Sequence, residues 1–367
     1  MPLTIFLSWT SSIIPLLLAL IAFGILITVH ECGHFLFCKL FQITTPTFSI
    51  GFGPTILQRT IGETNFRLAL IPLGGYVEIS GLDEPGQGEQ KYAKDISKNS
   101  FNSKSWWQKA FVILGGICGN IIFAFIILTL LIQQGFLREW CNSTKLVDIQ
   151  KESVAAMHGL TEGDTILSIN QVNVKDKPHK AYQTISHARK NAQEKLILSF
   201  SQNGQTKQTI IPLEKSNSAE ASAQQQLCFI FEQHKVPLLM AMKNAFQATV
   251  FISQEIIQSL GRLVRQRDTS SLSGPIGILQ VTTKAAQLGL LSFLFLVAII
   301  SINLAIFNLL PLPILDGGQL LLITIETILG KSLSNQTRIL ISNICWLAFI
   351  ALFIFASYQD IRRILGW

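Results

Sequence analysis

Two histidines, His30 and His34, stand four residues apart in the stretch HECGH, which has the pattern HExxH. On a helix, residues at i and i+4 project from the same face, so both imidazoles can reach one zinc ion at about 2.1 Å. Glu31 follows the first histidine and is placed to take a proton from a water molecule that zinc makes more acidic. We therefore expect a hydrolytic zinc site. The alternative is a pair of interfacial histidines beside a glutamate that snorkels to the membrane surface.

A catalytic zinc needs a third protein ligand, and the candidate is Asp316. It is the only acidic residue between positions 269 and 325, and it follows Pro311 and Pro313 at the end of an apolar run. The prolines break the helix, and irregular chain at membrane depth must line a cavity or be buried in protein. We expect Asp316 to complete the zinc site; the alternative is an interfacial turn that the aspartate caps.

The composition is that of a membrane protein. Hydrophobic residues make up 49% of the 367 residues and charged residues 14%, against about 25% charged residues in soluble domains. The formal charge of +7 belongs to the segments between the apolar runs, and no basic run carries interleaved aromatic residues, so nucleic acid is not an expected partner. Four runs contain no Asp, Glu, Lys or Arg and are long enough to span a bilayer as helices: Met1 to Val29, Ala110 to Leu137, Ala285 to Leu315 and Ile339 to Gln359.

The distribution of charge predicts the orientation of these helices. The segment from Phe35 to Lys109, between the first two runs, carries eight basic residues, and the positive-inside rule places it in the cytoplasm. The N-terminus and the region between the second and third runs then lie outside. The HExxH motif is expected near the cytoplasmic side of the membrane.

The segments between the runs have their own predicted structure. Phe48 to Pro54 and Asn65 to Val77 alternate apolar with other residues and are punctuated by Gly and Pro, which is typical of strands. Asn142 to Leu213 has the composition of a small soluble domain, and Glu214 to Gln226 reads as a linker. Pro237 to Val264 carries an apolar stripe interrupted by polar residues, which favours a helix on the membrane or against other helices over a span.

Taken together, the motifs resemble the site-2 protease family of intramembrane zinc metalloproteases, and within it the bacterial branch of regulator of sigma E proteases. The elements that carry the resemblance occur in the family's order and are HECGH, SIGFGP, IPLGGYV, GGICGN, LSGPIGI and ISINLAIFNLLPLPILDGG. In GGICGN, Gly116 and Asn120 match the family's GPxxN turn, with Ile117 in place of the proline.

The resemblance implies a role for each matching residue. His30, His34 and Asp316 would bind Zn2+, and Glu31 would be the general acid and base. Asn308, upstream of LDG, is implied to hold the substrate backbone, with Asn303 nearby; an asparagine that ties the broken helix together is the alternative. The glycine-rich elements resemble the family's membrane-dipping strands, which would bind an unwound substrate by strand addition, and they contribute Gly51, Gly53, Gly74 and Tyr76.

The outer domain resembles a PDZ domain. Glu152 to Asn170 follows the pattern SPAAxAGLxxGDxIxxIN, except that Val154 stands where Pro is usual and His158 where Ala is usual. The length leaves room for one such domain. Cys141 and Cys228 bracket it and are the two cysteines expected outside, so we consider a disulfide between them.

The expected fold is therefore a polytopic α-helical membrane protein with four transmembrane helices, a membrane-dipping β-hairpin region and one extramembrane PDZ-like α/β domain. The expected domains are an N-terminal membrane core at 1–140, the PDZ-like domain at 141–215, a linker with an amphipathic membrane-associated helix at 216–284, and a C-terminal membrane core at 285–367.

The resemblance implies an intramembrane zinc endopeptidase that cleaves transmembrane segments of single-pass membrane proteins, such as anti-sigma factors or remnant signal peptides. It would reside in the bacterial inner membrane, with the PDZ-like domain on the periplasmic side and open to peptide tails. The alternative is a catalytically inactive membrane scaffold or chaperone that binds partners through the PDZ-like domain.

Overall fold

The computed structural model describes residues 3–82, 92, 95–137, 140, 143–149, 153–190, 195–212, 229–231, 235–266, 274–331 and 334–365. The chain forms two compact units. The first unit joins Met1–Phe125 to Thr249–Trp367, and the second is the intervening Ile126–Ala248. The first unit joins most of the expected N-terminal membrane core to the expected C-terminal one, while residues 126–140 belong to the second unit; the four expected domains stay a prediction. The linker at 214–226, Cys141 and Cys228 lie outside the described residues, so the expected disulfide stays a prediction.

The helices are α1 (Leu3–Leu40), α2 (Trp106–Gln133), α3 (Val154–Met157), α4 (Pro178–Lys190), α5 (Leu238–Gln266), α6 (Pro275–Gln287), α7 (Leu290–Asn308), α8 (Asp316–Leu329) and α9 (Asn335–Leu365), with a 3-10 turn at Phe101–Ser103. The strands are β1 (Thr47–Ile61), β2 (Thr64–Glu78), β3 (Leu146–Ile149), β4 (Thr165–Ile169), β5 (Val172–Asn173), β6 (Lys195–Gln202), β7 (Gln205–Pro212) and β8 (Phe229–Phe231).

Four helices are long and apolar enough to cross a membrane, among the residues that the structure describes. The expected number of spans is thus confirmed, although the bounds differ. Helix α1 continues past Val29 to Leu40, because nothing in HECGH breaks a helix, and the third apolar run is divided at Gly289, where φ is +114°. The spanning stretches are Leu17–Leu40, Trp106–Gln133, Leu290–Asn308 and Leu340–Arg363.

Helix α5 confirms the helix expected over Pro237 to Val264, and it is not among the spanning candidates. One face is made of small side chains that are fully buried, Ala241, Ala245 and Ala248, at the three- and four-residue spacing of one helical face. The opposite face exposes large apolar side chains, among them Leu239 and Phe246. Large apolar side chains that stay exposed are typical of a helix that lies at an interface.

In the first unit, the short helix α6 packs against α1, α7 and α9. Its N-terminus is capped from α9 by Asp360, whose carboxylate accepts the amide N–H of Gly274 at 3.0 Å and that of Gly277 at 2.8 Å. Asp360 is only 2% exposed. A buried carboxylate needs such compensation, and the free N–H groups at a helix N-terminus supply it. The motif LSGPIGI therefore marks the start of a helix that Asp360 anchors.

The hairpin of β1 and β2 folds back on itself. The first residues of β1, Thr47 to Ile50, pair with Asn65 to Leu68 near the start of β2 and also with Gly75 to Glu78 at its end. The far part of β1, from Phe52 to Ile61, is exposed. The Gly75–Glu78 segment lies at an edge of this small sheet and packs on α1. Both expected strands are confirmed, at greater length.

The second unit holds a four-stranded sheet in the order β5-β4-β6-β7 and a separate β3-β8 pair. The four-stranded sheet lies within the stretch from Asn142 to Leu213 that was expected to form a small soluble domain. Inward-facing residues of the strands, among them Ile166, Leu198 and Ile211, form one apolar core with Ile185 of α4. The unit is thus a small α/β fold with its own core.

Candidate metal centre

Helix α1 brings its two histidines together as expected. Nε2 of His30 lies 3.2 Å from Nε2 of His34, and Oδ2 of Asp316 lies 3.2 Å from the first nitrogen and 3.6 Å from the second. Ligands at about 2.1 Å from a tetrahedral zinc are separated by about 3.4 Å. The three atoms therefore have the spacing that one zinc ion requires. Among the described residues, His30, His34 and Asp316 form the group of side chains that could hold a metal ion.

The surroundings of Asp316 also fit a cation. Its Oδ2 is buried and has no hydrogen-bond partner among the described atoms. Nδ1 of His34 lies 2.9 Å from the main-chain oxygen of Val112, and because a carbonyl can only accept, the imidazole must carry its proton on Nδ1. In the neutral imidazole, Nε2 of His34 is then a bare lone pair, which cannot compensate the carboxylate. A metal ion bound by all three atoms would compensate the buried carboxylate and so remove the free-energy cost of burying it.

Helix α2 leaves room for the two imidazoles because residue 116 is glycine. A Cβ at Gly116 would lie 2.4 Å from Nε2 of His34 and 2.5 Å from Cε1 of His30. Other glycines allow α1 and α2 to approach closely: a Cβ at Gly33 would lie 2.0 Å from the main-chain oxygen of Gly115, and one at Gly119 would lie 2.8 Å from that of Val29. The GGICG stretch therefore shapes the wall of the site.

Asp316 reaches the site as the first residue of α8. Gly317 and Gly318 permit the helix to start directly against the preceding turn, since a Cβ at either position would lie within 2.3 Å of main-chain atoms of Leu309 or Leu312. Two further contacts fix the other end of α8. The indole N–H of Trp106 donates to Oγ1 of Thr324 at 3.0 Å, and Nη2 of Arg338 donates to both carboxylate oxygens of Glu326 at 2.5 Å.

Glu31 is held by the sheet. The main-chain N–H of Val77, in the edge segment of β2, donates to Oε2 of Glu31 at 3.1 Å. The contact places the edge segment of β2 beside the HExxH motif. Residue types could not reveal this partner, because the donor is a main-chain group that any residue other than proline supplies.

The expected substrate-binding residues fall into two groups. Nδ2 of Asn308, the last residue of α7, lies 3.4 Å from Nε2 of His30, so this amide borders the metal site. Asn303 lies in the same helix, but no hydrogen bond among those of the described residues joins it to the three metal-capable residues.

The glycines of the hairpin shape its strands. Gly51 and Gly53 have φ of +87° and +89°, a left-handed conformation that favours glycine. A Cβ at Gly74 would overlap the ring of Phe52, which stacks on Tyr76 at a centroid distance of 6.4 Å. Of these four expected residues, Tyr76 lies in the edge segment next to Val77, and the three glycines shape the strands around it; their contact with substrate stays a prediction.

The structure adds one side chain to which the sequence assigned no role. Nδ2 of Asn120 lies 3.2 Å from Nδ1 of His30, and its main-chain oxygen accepts a hydrogen bond from Oγ of Ser301 at 2.8 Å. The signal was present in the sequence, since Asn120 follows Gly116 by four residues and so shares its helical face. Ile117 occupies the position of the family's proline, and α2 is one continuous helix there.

Comparison with known proteins agrees with this geometry. Residues 18–353 match Peptidase family M50. A Campylobacter jejuni protein described as a candidate zinc metalloprotease is 29% identical over 366 residues, covering 96% of this chain and 95% of the relative. A Helicobacter pylori strain J99 protein of the same description is 30% identical, with coverage of 95% and 99%. The zinc metalloprotease RasP of Geobacillus kaustophilus is 25% identical, with coverage of 94% and 97%.

The family match spans most of the chain and includes the three metal-capable residues and all or part of each candidate span. With four apolar helices, the protein is a multi-pass membrane protein, and its cofactor is Zn2+. The chain belongs to Peptidase family M50, the site-2 protease family, and is an intramembrane zinc metalloprotease.

Proposed function

We propose that this protease hydrolyses peptide bonds within transmembrane segments of single-pass membrane proteins, with His30, His34 and Asp316 as zinc ligands and Glu31 as the general base and acid. The observation that supports the proposal best is the buried group of three ligand atoms at zinc spacing. Its Asp316 oxygen lacks any other described partner. Zinc, when bound, supplies Lewis-acid polarisation of a water molecule and of the scissile carbonyl.

The protein groups then have defined tasks. Glu31 takes a proton from the attacking water and passes it to the amide nitrogen, so that OH is added to the carbonyl carbon and an amine leaves. The Val77 N–H at 3.1 Å holds the Glu31 carboxylate on the side of the β2 edge. The Asn308 amide, which borders the metal site, is placed to donate a hydrogen bond to the substrate carbonyl oxygen.

The substrate must be unwound before it is cleaved, because a transmembrane helix hides its peptide groups in internal hydrogen bonds. In our proposal, the edge segment from Gly75 to Glu78 pairs with the unwound stretch and replaces those bonds. Because the same segment holds Glu31, a substrate strand added there would lie next to the general base. The positive charge between the first two spans, as noted above, supports cleavage near the cytoplasmic side of the inner membrane.

The second unit would serve as a PDZ-like module for peptide tails on the periplasmic side. Its motif residues have structural tasks that suit such a fold. Asp164 is 2% exposed and accepts hydrogen bonds from the N–H and the hydroxyl of Thr161, closing the loop of the GLxxGD pattern. Gly159 and Gly163 adopt positive φ on either side of that loop. Anti-sigma factors and remnant signal peptides are the substrates we propose.

The test is cleavage of a single-pass model substrate by the full chain in liposomes. We predict that Glu31→Gln retains one zinc per chain and loses cleavage by at least about 10³-fold, because the proton carrier is gone while the ligands stay. Glu63→Gln, at the exposed turn of the same hairpin, is the matched control and should cleave normally.

Two further readouts decide between the alternatives. Normal turnover by Glu31→Gln would overturn the assignment of the general base. A wild-type protein that binds zinc and substrate without any cleavage would favour the inactive scaffold. Disulfide trapping between Tyr76→Cys and a cysteine at the cleavage position of the substrate should capture the strand pairing, whereas Glu63→Cys should not.

A further inference from the structure

Asn120 is the most deeply buried polar residue beside the zinc ligands, and its hydrogen bonding is incomplete. The side chain is 0% exposed, its Nδ2 lies 3.2 Å from Nδ1 of His30, and its Oδ1 has no hydrogen-bond partner among the described atoms. Oγ of Ser301 in α7 donates to its main-chain oxygen, which ties this turn of α2 to α7. A buried amide oxygen without a partner is costly and calls for an explanation.

The proton on the His30 imidazole explains why an amide oxygen is buried at this position. Nε2 of His30 faces Asp316 and His34, so it is the nitrogen that binds metal. A neutral imidazole that offers Nε2 to zinc carries its proton on Nδ1, and that proton needs an acceptor. An amide NH2 cannot accept. The acceptor on the same side chain is Oδ1, and a half-turn of the terminal amide exchanges two groups of nearly equal size, so no repacking is required.

We propose that Asn120 is a positioning residue: in the zinc-loaded protein its Oδ1 accepts the Nδ1–H of His30 and thereby selects the metal-binding tautomer. The inference rests on the proposed role of His30 as a zinc ligand. Helix α2 then supports both histidines in the same way, since the Val112 carbonyl already accepts the Nδ1–H of His34. Val112, Gly116 and Asn120 follow one another at intervals of four residues and form one stripe along α2 that serves the metal site.

The test compares Asn120→Asp with Asn120→Leu in the full chain purified in detergent. Both replacements are close to asparagine in size. Aspartate keeps an acceptor for the His30 proton and has no NH2, whereas leucine removes the acceptor. The measurement is zinc affinity by competition with a chromophoric chelator, together with the visible absorption spectrum of the cobalt-substituted protein, which reports the geometry around the metal.

We expect Asn120→Leu to bind zinc about 10- to 100-fold more weakly, the usual cost of losing such an outer contact, and Asn120→Asp to bind at least as tightly as wild type with an unchanged cobalt spectrum. If Asn120→Asp loses zinc as Asn120→Leu does, the amide donates rather than accepts and the inference is wrong. Wild-type affinity in Asn120→Leu would also overturn it. If the leucine variant does not fold, the aspartate variant alone decides.

A separate control distinguishes this inference from the ligand assignment on which it rests. His30→Ala should lose stoichiometric zinc. If it keeps one tightly bound zinc per chain, His30 is not a ligand, and the proposed site fails together with the role of Asn120. If His30→Ala loses zinc while both Asn120 variants bind as wild type does, only the positioning role fails.

Discussion

Replacing Gly116 with alanine should abolish tight zinc binding through a single methyl group. The added Cβ would lie 2.4 Å from Nε2 of His34 and 2.5 Å from Cε1 of His30. Optimal non-bonded contacts are about 3.5–4.0 Å, so one or both rings must move by about 1 Å. Zinc ligands tolerate deviations of only about 0.2 Å, so the rings cannot keep their places around the ion.

The expected size of the effect follows from that displacement. A shift of about 1 Å at a reacting centre costs on the order of 10²-fold in rate, and loss of one ligand adds a larger penalty in affinity. We therefore expect Gly116→Ala to bind zinc at least about 100-fold more weakly and to cleave no model substrate at ordinary zinc concentrations. The assay is chelator competition, followed by cleavage over a range of added zinc.

The control is Gly261→Ala in α5, where an added Cβ meets nothing within 4 Å. Both changes replace a helical glycine with alanine, which by itself favours the helix by about 1 kcal/mol. Neither variant should unfold for reasons of propensity, so a zinc defect in Gly116→Ala alone points to the collision with the ligands. Wild-type zinc affinity in Gly116→Ala would refute the packing of α2 against the two imidazoles.

Two other predictions concern the supports around the site. Asp360→Ala removes two hydrogen bonds to a charged acceptor, each worth about 1.5–3 kcal/mol, so we expect the free energy of unfolding to fall by about 3–5 kcal/mol. Hydrogen exchange at the amides of Gly274 and Gly277 should become faster. Unchanged exchange would contradict the capping role of Asp360. In the second unit, burial, aided by two neighbouring lysines, lowers the pKa of His179, which stacks on Trp140 at 4.7 Å. The unfolded chain therefore takes up this proton first, so stability should be complete above about pH 6.5 and fall as the pH drops below it. Thermal unfolding at pH 5.5 and 7.5 should show a smaller difference in His179→Phe, which keeps the stack without the titration; an equal difference would count against His179.

The zinc motif illustrates what could be predicted from residue types. His30 and His34 are local in sequence, and helical geometry alone brings them to one face. Asp316 lies far away, and its assignment followed from the high cost of a lone carboxylate in an apolar run beside a zinc motif that needs a third ligand, with which the family resemblance agrees. The structure brings its Oδ2 to 3.2 Å from His30, as that reasoning expected.

The contacts that support the site were harder to predict from the sequence, for physical reasons. The donor to Glu31 is the main-chain N–H of Val77 and the acceptor for His34 is the main-chain carbonyl of Val112, and such groups carry no residue signature. The double pairing of Thr47 to Ile50 depends on how the hairpin folds back, whereas alternation of residue types predicts a strand but not its neighbours. The role of Asp360 required knowing that α9 packs on α6.

The division of the membrane-embedded unit into two stretches of sequence also governs when the enzyme becomes complete during its synthesis. His30 and His34 leave the ribosome with the first span, but Asp316 follows about 280 residues later, after the whole second unit. At about 5–20 residues per second, the interval is roughly 15 to 60 seconds. Throughout that time the proposed zinc site lacks its carboxylate ligand. A truncated product that ends before Asp316 is therefore expected to be inert.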